Sequence, residues 1–337
     1  MVDDFHLSDG QIAVDGWFLS PFHPVASARF LVNSRHFLAP NSYHPAFGDV
    51  RAIVPDLPPS AYRFSVRFAY TDDTPFVSLE FLPSGYFDDD RITNNGWWLL
   101  ASSQEDDPLP KGDNIYRVIG NRNALHYRLG GATVANRINS YLLRTYGKSV
   151  AELGPVLDWG CGCARVSRYL RKLGCEGSLH GVDVDPANVD WCRQNLPWFP
   201  IRLSPLNPPL PFPDQSFGLI IGISVFTHLR EDVQFAWLTE LARLLRPGGL
   251  AMVSVMGAPQ IALQGGSSEA IRKIEHEKFI LEDNNDQLYL GDGSENYYVN
   301  VYHSSQYIYE HWQNEMEIVD IVPFLAAHQN IVVLRKK

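Results

Sequence analysis

The chain has 337 residues, with 28 Lys plus Arg against 38 Asp plus Glu and a net charge of −10. That length exceeds one average domain and predicts two. The negative balance, with no Lys/Arg cluster, argues against a nucleic-acid partner, whose phosphates need a positive footprint.

No window approaches the ~18 apolar residues of a membrane span. The start, Met1-Val2-Asp3-Asp4, lacks the apolar core of a signal peptide, so a cytoplasmic protein with no membrane partner is expected. The cysteines are Cys161, Cys163, Cys175 and Cys192. Their spacing is wrong for paired Cys-x-x-Cys ligands, so no metal site is expected and reduced thiols are.

In residues 1–105, short aromatic and β-branched runs alternate with Pro, Asn and Asp turns: Ile12–Leu19, Ala28–Asn33, Tyr62–Tyr70, Phe76–Leu82 and Trp97–Ala101. Residues 63–70 alternate with a period of two, the mark of a half-buried strand. An antiparallel β-sandwich accessory domain is predicted. Trp17, Trp97 and Trp98 read either as its core or as a sugar-stacking platform. Ser102–Asp113 has linker composition, and residues 106–337 form the second predicted domain. Ile115–Tyr146 reads as helices, interrupted at Gly130-Gly131.

From Val156 strands and helices alternate, the pattern of a mostly parallel sheet with helices on both faces. Strands are predicted at 155–158, 178–183, 200–203, 217–223 and 249–255, with an antiparallel pair, Glu317–Pro323 and Asn330–Arg335, closing the sheet. The most informative stretch is Val156-Leu-Asp-Trp-Gly-Cys-Gly-Cys-Ala-Arg165. A buried strand ends at Asp158, and Gly160 and Gly162 let the backbone turn tightly into a helix over Arg165–Lys172. About twenty residues later a second strand ends in Asp183, with Asp185 close behind, where a carboxylate accepts ribose hydroxyls. A dinucleotide site would carry Gly-x-Gly-x-x-Gly facing a pyrophosphate. Here the third glycine is missing, and Asp158 would repel a pyrophosphate but suits a cationic ligand.

Downstream come Asn207-Pro-Pro-Leu-Pro-Phe-Pro-Asp-Gln-Ser-Phe217, then Ser224-Val-Phe-Thr-His-Leu229, then a helix over Leu238–Leu245 stopped by Arg246-Pro-Gly-Gly249. Together with the glycine turn and the acidic second strand, these segments resemble the class I S-adenosylmethionine-dependent methyltransferases over residues 112–337. The resemblance implies a Rossmann-like seven-stranded sheet and S-adenosylmethionine as cofactor. It implies methyl transfer to an O or N atom of a small molecule, such as a sugar or secondary metabolite. A homodimer is compatible with it.

By the same resemblance, Gly160 and Gly162, with Cys161 between them, lie against the adenosine and methionine portions. Asp158 orients the methionine amino group, Asp183 takes the ribose diol with Asp185 as its rival, and Val184 flanks the adenine. Asn207 meets the adenine amino group, and Ile223 and Ser224 offer backbone to the methionine. His228, after the fourth strand, is the catalytic base if one is used. In the family the helices before the first strand often cover the cofactor, which makes Tyr116, Tyr127 and the Gly130-Gly131 turn candidates. The polar insert from Gly257 to Tyr302, with a helix over Glu269–Lys278, is expected to shape the acceptor pocket, through Tyr297, Tyr298, Asn300, Tyr302 and His303; Tyr127 joins Tyr298 and His303 as substrate-binding candidates. One departure is Gly218, where the family commonly has Asp. Two alternatives stay open: an aminopropyl-type transferase on the same fold, against which the lack of an acidic pair after the fourth strand counts, and a non-catalytic carbohydrate-binding or scaffold protein with a vestigial cofactor domain.

Overall fold

The computed structural model describes residues 2–8, 11–19, 28–32, 36–45, 61–69, 76–83, 97–101, 107–263, 266–282 and 299–337. The chain divides into two compact units, Met1–Asp106 and Asp107–Lys337. In the first, β1 (Val2–Ser8), β2 (Gln11–Leu19), β6 (Ala61–Ala69) and β5 (Ser42–Pro45) form one antiparallel sheet. β4 (His36–Leu38), β3 (Ala28–Val32), β7 (Phe76–Pro83) and β8 (Trp97–Ala101) form another. The alternation in β6 is realised in three dimensions: Tyr62, Phe64 and Val66 are buried, whereas Arg67 is exposed. Val14 pairs with Val66, and Phe30 of the second sheet packs on Phe64 of the first with ring centroids 4.9 Å apart. β1, β4 and β5 are additions to the strands read from sequence. The side chains of Trp17, Trp97 and Trp98 fall outside the described residues.

The second unit is built on a seven-stranded sheet of β9 (Val156–Trp159), β10 (Leu179–Asp183), β11 (Ile201–Leu203), β12 (Phe217–Gly222), β13 (Leu245–Val255), β16 (Glu317–Ala326) and β17 (Gln329–Arg335). Their order is β11-β10-β9-β12-β13-β17-β16, parallel from β11 to β13, with β17 antiparallel to both its neighbours. β9 and β12 are buried at every residue, as central strands covered on both faces must be. β14 (Phe279–Glu282) and β15 (Asn300–His303) pair as a separate hairpin.

The flanking helices start and stop on local signals. α1 (Gly112–Ile119) and α2 (Ala124–Tyr146) each end on a left-handed glycine, Gly120 and Gly147. α3 (Val150–Leu153) has a complete Ser149–Glu152 capping box. α4 (Ser167–Leu170) runs into a π-helical turn over Arg171–Cys175, so the helix read over 165–172 is shorter and then wider than expected. α5 (Pro186–Asn195) starts with Pro at its first turn and Asp185 as its cap. α6 (Glu231–Leu244), α7 (Ala258–Leu263), α8 (Ser268–Glu277) and α9 (Ser305–His311) are the further α-helices among the described residues.

Two glycine features find physical reasons. The expected turn at Gly130-Gly131 is instead the middle of the unbroken helix α2, and a Cβ on Gly131 would lie 2.0 Å from the Arg165 carbonyl oxygen. Gly218, the departure from the family pattern, sits where a Cβ would meet the Leu153 carbonyl oxygen at 2.0 Å and the Arg246 guanidinium at 2.3 Å. That guanidinium donates to the Gly154 carbonyl oxygen at 2.6 Å. Glycine is therefore demanded at 218 by packing of the Arg-Pro-Gly-Gly segment, which belongs to β13 rather than to a loop.

Candidate functional site

β9 leads on to β10 and β11 on one side of the sheet, whereas β12 and β13 build out the other. The order reverses between β9 and β12, and a cleft opens at the carboxyl ends of strands at such a switch point. Its lining includes Asp158 and Asp183 from the ends of β9 and β10, and Ile223 and Ser224 from beyond β12.

The turn after β9 forms its floor. Gly160 and Gly162 have φ of +74° and +54°, and Ala164 follows at +60°. Left-handed backbone is cheap only for glycine, so the first two positions are conformationally required. They are sterically required as well: a Cβ on Gly160 would meet Val225 at 2.4 Å, and one on Gly162 would meet Val118 at 2.7 Å. The first three turn amides are spent internally. Gly160 and Cys161 donate to the Val182 carbonyl at 2.9 and 3.1 Å, and Gly162 donates to Asp183 Oδ2 at 2.7 Å. None of these three is left to face a pyrophosphate.

What the cleft offers instead is two buried carboxyls. Asp158 is 2% exposed and accepts from Ser167 Oγ at 2.5 Å. Burial pushes its pKa up to about 6, against the pull of the Ser167 hydrogen bond and the Arg165 charge. Asp183, 7% exposed, accepts from Gly162 N through Oδ2 and from Asp185 N at 2.9 Å through Oδ1. Burial raises it to about 6 too, against the two main-chain hydrogen bonds. Each oxygen keeps acceptor capacity for a ligand hydroxyl. Asp185 is otherwise employed: it caps α5 through Ala187 N at 2.9 Å and pairs with Arg117 at 2.8 Å. Both acids line the cleft, and they differ in that Asp185 carries the Arg117 ion pair whereas Asp183 accepts the main-chain N–H groups of Gly162 and Asp185.

α1 closes the floor from above. Asn114, Arg117 and Val118, spaced i, i+3, i+4 on one helix face, meet Ala187 and Asn188, Asp185 and Gly162 respectively. Beyond β12, Ser224 adopts φ of +59°. Its N–H donates to Ser254 Oγ at 2.6 Å and its hydroxyl to Gln329 Oε1 at 3.1 Å. Trp159 packs on Phe226 and Trp237 with centroids 5.3 and 5.0 Å away, walling the β12 side.

Of the residues read from sequence, Asp158, Gly160, Cys161, Gly162, Asp183, Val184, Ile223, Ser224 and His228 all line this one cleft. The His228 Nδ1 donates to the Val299 carbonyl at 3.1 Å, and burial lowers its pKa below the usual histidine value. Since a carbonyl only accepts, Nδ1 carries the proton of the neutral ring and Nε2 is its basic nitrogen.

Three expectations are corrected. Asn207 is exposed and off the cleft; Ser204, held by its N–H on the Asp183 carbonyl at 2.8 Å, lines the cleft in that region. Tyr127 is fully buried behind the turn, its hydroxyl donating to the Cys163 carbonyl at 2.7 Å, so it braces the turn and does not face a substrate. His303 is 3% exposed, packed among Phe279, Tyr307 and Trp312, with Nε2 donating to Gln234 Oε1 at 2.9 Å. Burial takes its pKa down to about 3, so it is a neutral core histidine. Tyr298, with Tyr297, lies outside the described residues.

Residues that sequence reading missed include Arg117, Val118, Arg165, Asn188 and Ser204. The i, i+3, i+4 stripe Asn114–Arg117–Val118 was a legible signal for the first two. All four cysteines are free and buried. No helix among the described residues is long and apolar enough to cross a membrane.

A sheet in this order, a glycine turn after its first strand and an acid after its second define the class I methyltransferase architecture, whose cofactor is S-adenosylmethionine. Residues 156–249 match the family model for a methyltransferase domain. The chain carries a class I S-adenosylmethionine-dependent methyltransferase domain. Over 122 residues it is 30% identical to a fatty-acid O-methyltransferase of Mycolicibacterium smegmatis, covering 34% of this chain and 43% of that protein. Over 99 residues it is 39% identical to a probable S-adenosylmethionine-dependent methyltransferase of the same organism, covering 29% and 37%. A solved 1,6-didemethyltoxoflavin-N1-methyltransferase of Burkholderia thailandensis aligns over 71% of this chain and 95% of its own, at 16% identity and a TM-score of 0.43. The chain spans less than half the length of these curated relatives.

Proposed function

We propose that the protein transfers the methyl group of S-adenosylmethionine to an oxygen or nitrogen atom of a small molecule, such as a sugar or secondary metabolite. The observation that carries this reading is the convergence of Asp158 and Asp183, two buried carboxyls on one cleft, around a glycine turn whose Gly160, Cys161 and Gly162 amides are spent inside the protein. A cation and a diol fit those partners; a phosphate does not. When bound, the cofactor supplies a methyl already activated by its sulfonium.

The protein's part is alignment, which in well-oriented reactions contributes ~7–11 kcal/mol. Asp158 holds the ammonium of the amino-acid tail, and Asp183 holds the ribose hydroxyls. Val184 and Ser204 flank the adenine, and Ile223 and Ser224 present main chain to the tail. Trp159, Val225 and Leu229 exclude water from the reacting end. For an acceptor that brings a proton, Nε2 of the neutral His228 ring receives it. The acceptor is a small molecule rather than a nucleic acid, in keeping with the net charge of −10. The paired sheets of residues 1–105 act as a β-sandwich accessory domain to the catalytic residues 106–337, and the four free thiols suit the cytoplasm.

Titration calorimetry with S-adenosylmethionine tests the cofactor site: micromolar binding that Asp183→Ala abolishes is expected, and absence of binding removes the proposal. Labelled cofactor incubated with a metabolite extract, followed by mass spectrometry, then identifies the acceptor.

A further inference from the structure

The turn that carries His228 is gripped from two sides. Phe226–His228 form a 3₁₀-helical turn between β12 and α6, and His228 lines the cleft while Phe226 and Thr227 are wholly buried. On one side stands Gln234, in the first turn of α6 and equally buried. Its amide nitrogen donates to the Leu229 carbonyl at 2.7 Å and to the Phe226 carbonyl at 3.3 Å, on either side of Thr227 and His228. Both carbonyls only accept, so the NH2 end of the amide faces the turn and Oε1 faces His303, whose Nε2 donates to it at 2.9 Å. Neither Gln234 nor His303 lines the cleft.

On the other side lies β15. Val299, just ahead of it, donates its N–H to the His228 carbonyl at 3.2 Å and accepts from His228 Nδ1 at 3.1 Å. At the far end of β15, the His303 N–H donates to the Met256 carbonyl at 2.7 Å. Gly257 leaves room for that approach, because a Cβ there would stand 2.5 Å from the His303 carbonyl oxygen. β15 therefore bridges the His228 turn and the end of β13, and the His303–Gln234 bond closes the circuit back to the turn. Burying an amide is costly unless its polar atoms are met, and here the donors and the acceptor of Gln234 all are.

Resting on the methyltransferase reading, in which His228 receives the acceptor's proton, we infer that Gln234 is a positioning residue for that step. Held by His303, it keeps the turn in register with Val299, so that the His228 ring stays in its Nδ1–H form and Nε2 remains the nitrogen able to take a proton. As the acceptor atom bonds to the methyl carbon, its proton passes to Nε2 and the carbon–sulfur electron pair stays on sulfur. The insert of residues 257–302, expected to shape the acceptor pocket, thus also holds the base.

The test reads the His228 tautomer by nitrogen-15 NMR of the histidine-labelled full chain saturated with S-adenosylhomocysteine, the signal assigned by its loss in His228→Asn. Wild type should show the Nδ1–H form. Gln234→Leu should shift the tautomer ratio about 3- to 10-fold toward Nε2–H, the net worth of one hydrogen bond. Label transfer from S-adenosylmethionine to the metabolite extract should fall about 10- to 100-fold. S-adenosylhomocysteine affinity should change less than about threefold, which also shows the variant folded. His303→Leu should give the same shift, whereas His303→Gln, whose amide still donates to Gln234, should keep most of the wild-type ratio; this pair decides the matter even where Gln234→Leu does not fold. A wild-type His228 protonated at Nε2 overturns the inference. So does an unchanged ratio or undiminished transfer in a folded Leu variant, or an equal shift in His303→Gln and His303→Leu. Wild-type protein that binds no S-adenosylmethionine or transfers no label refutes the underlying methyltransferase reading instead.

Discussion

Replacing Gly162 by Ala probes the cleft floor and its cover together. The residue has φ of +54°, and an alanine there costs about 1–2 kcal/mol for its left-handed backbone. The added Cβ would also stand 2.7 Å from Val118 Cγ2, so α1 must shift, at a typical overpacking cost of ~1–3 kcal/mol. Gly162→Ala should therefore destabilise the domain by about 2–5 kcal/mol, with Tm falling roughly 2–4 °C per kcal/mol for a domain of this size. In a Val118→Ala background the steric part vanishes and only the backbone part remains. The double-mutant cycle should show about 1–3 kcal/mol of favourable coupling, measured by urea unfolding followed by tryptophan fluorescence. Additivity within about 0.5 kcal/mol would refute the claim that Val118 roofs the turn, and with it the assignment of α1 as the cover.

Three further outcomes are expected. Because Asp158 and Asp183 are raised from 3.8 to about 6 in the ligand-free fold, the folded chain keeps protons that the unfolded chain has released between about pH 4 and 6. Their contribution is thus fully present below pH 4 and lost as pH rises through 6, by at most about 3 kcal/mol each, so urea midpoints for Asp158→Asn should exceed wild type at pH 8 and converge with it at pH 4. A cationic ligand favours the ionised carboxyls, so S-adenosylmethionine binding near pH 6 should release protons and strengthen toward pH 7; calorimetric enthalpies that do not vary with buffer ionisation enthalpy would contradict this. Tyr127→Phe removes the donor to the buried Cys163 carbonyl and should cost about 1–3 kcal/mol in unfolding while leaving KM for any acceptor unchanged; a raised KM would restore Tyr127 to the acceptor pocket.

The strand, glycine turn, helix, strand and acid of residues 156–185 were legible because each rests on a local rule: alternation of elements, glycine at positive φ, a carboxylate at a strand end. The second half of the helix Glu231–Leu244, read from sequence as Leu238–Leu245, and the closing strands were legible from apolar patterning for the same reason, whereas the first two turns of that helix were missed. The Gly130-Gly131 pair misled because glycine in sequence signals a turn, whereas here it answers a backbone passing 2.0 Å away from its missing Cβ. His303 and Tyr127 misled because polar tips look available in one dimension; Gln234 and Cys163, which satisfy them, lie 69 and 36 positions away.

Sequence alone thus determined the turn and strand ends from Asp158 to Asp183 that line the cleft, since φ preferences and strand periodicity act between near neighbours. Only the tertiary structure set the two acids apart, by sending Arg117 across 68 positions to Asp185 while Asp183 accepts the N–H groups of Gly162 and Asp185. Which groups pair and which remain available depends on distant segments packed together, and no local rule encodes that.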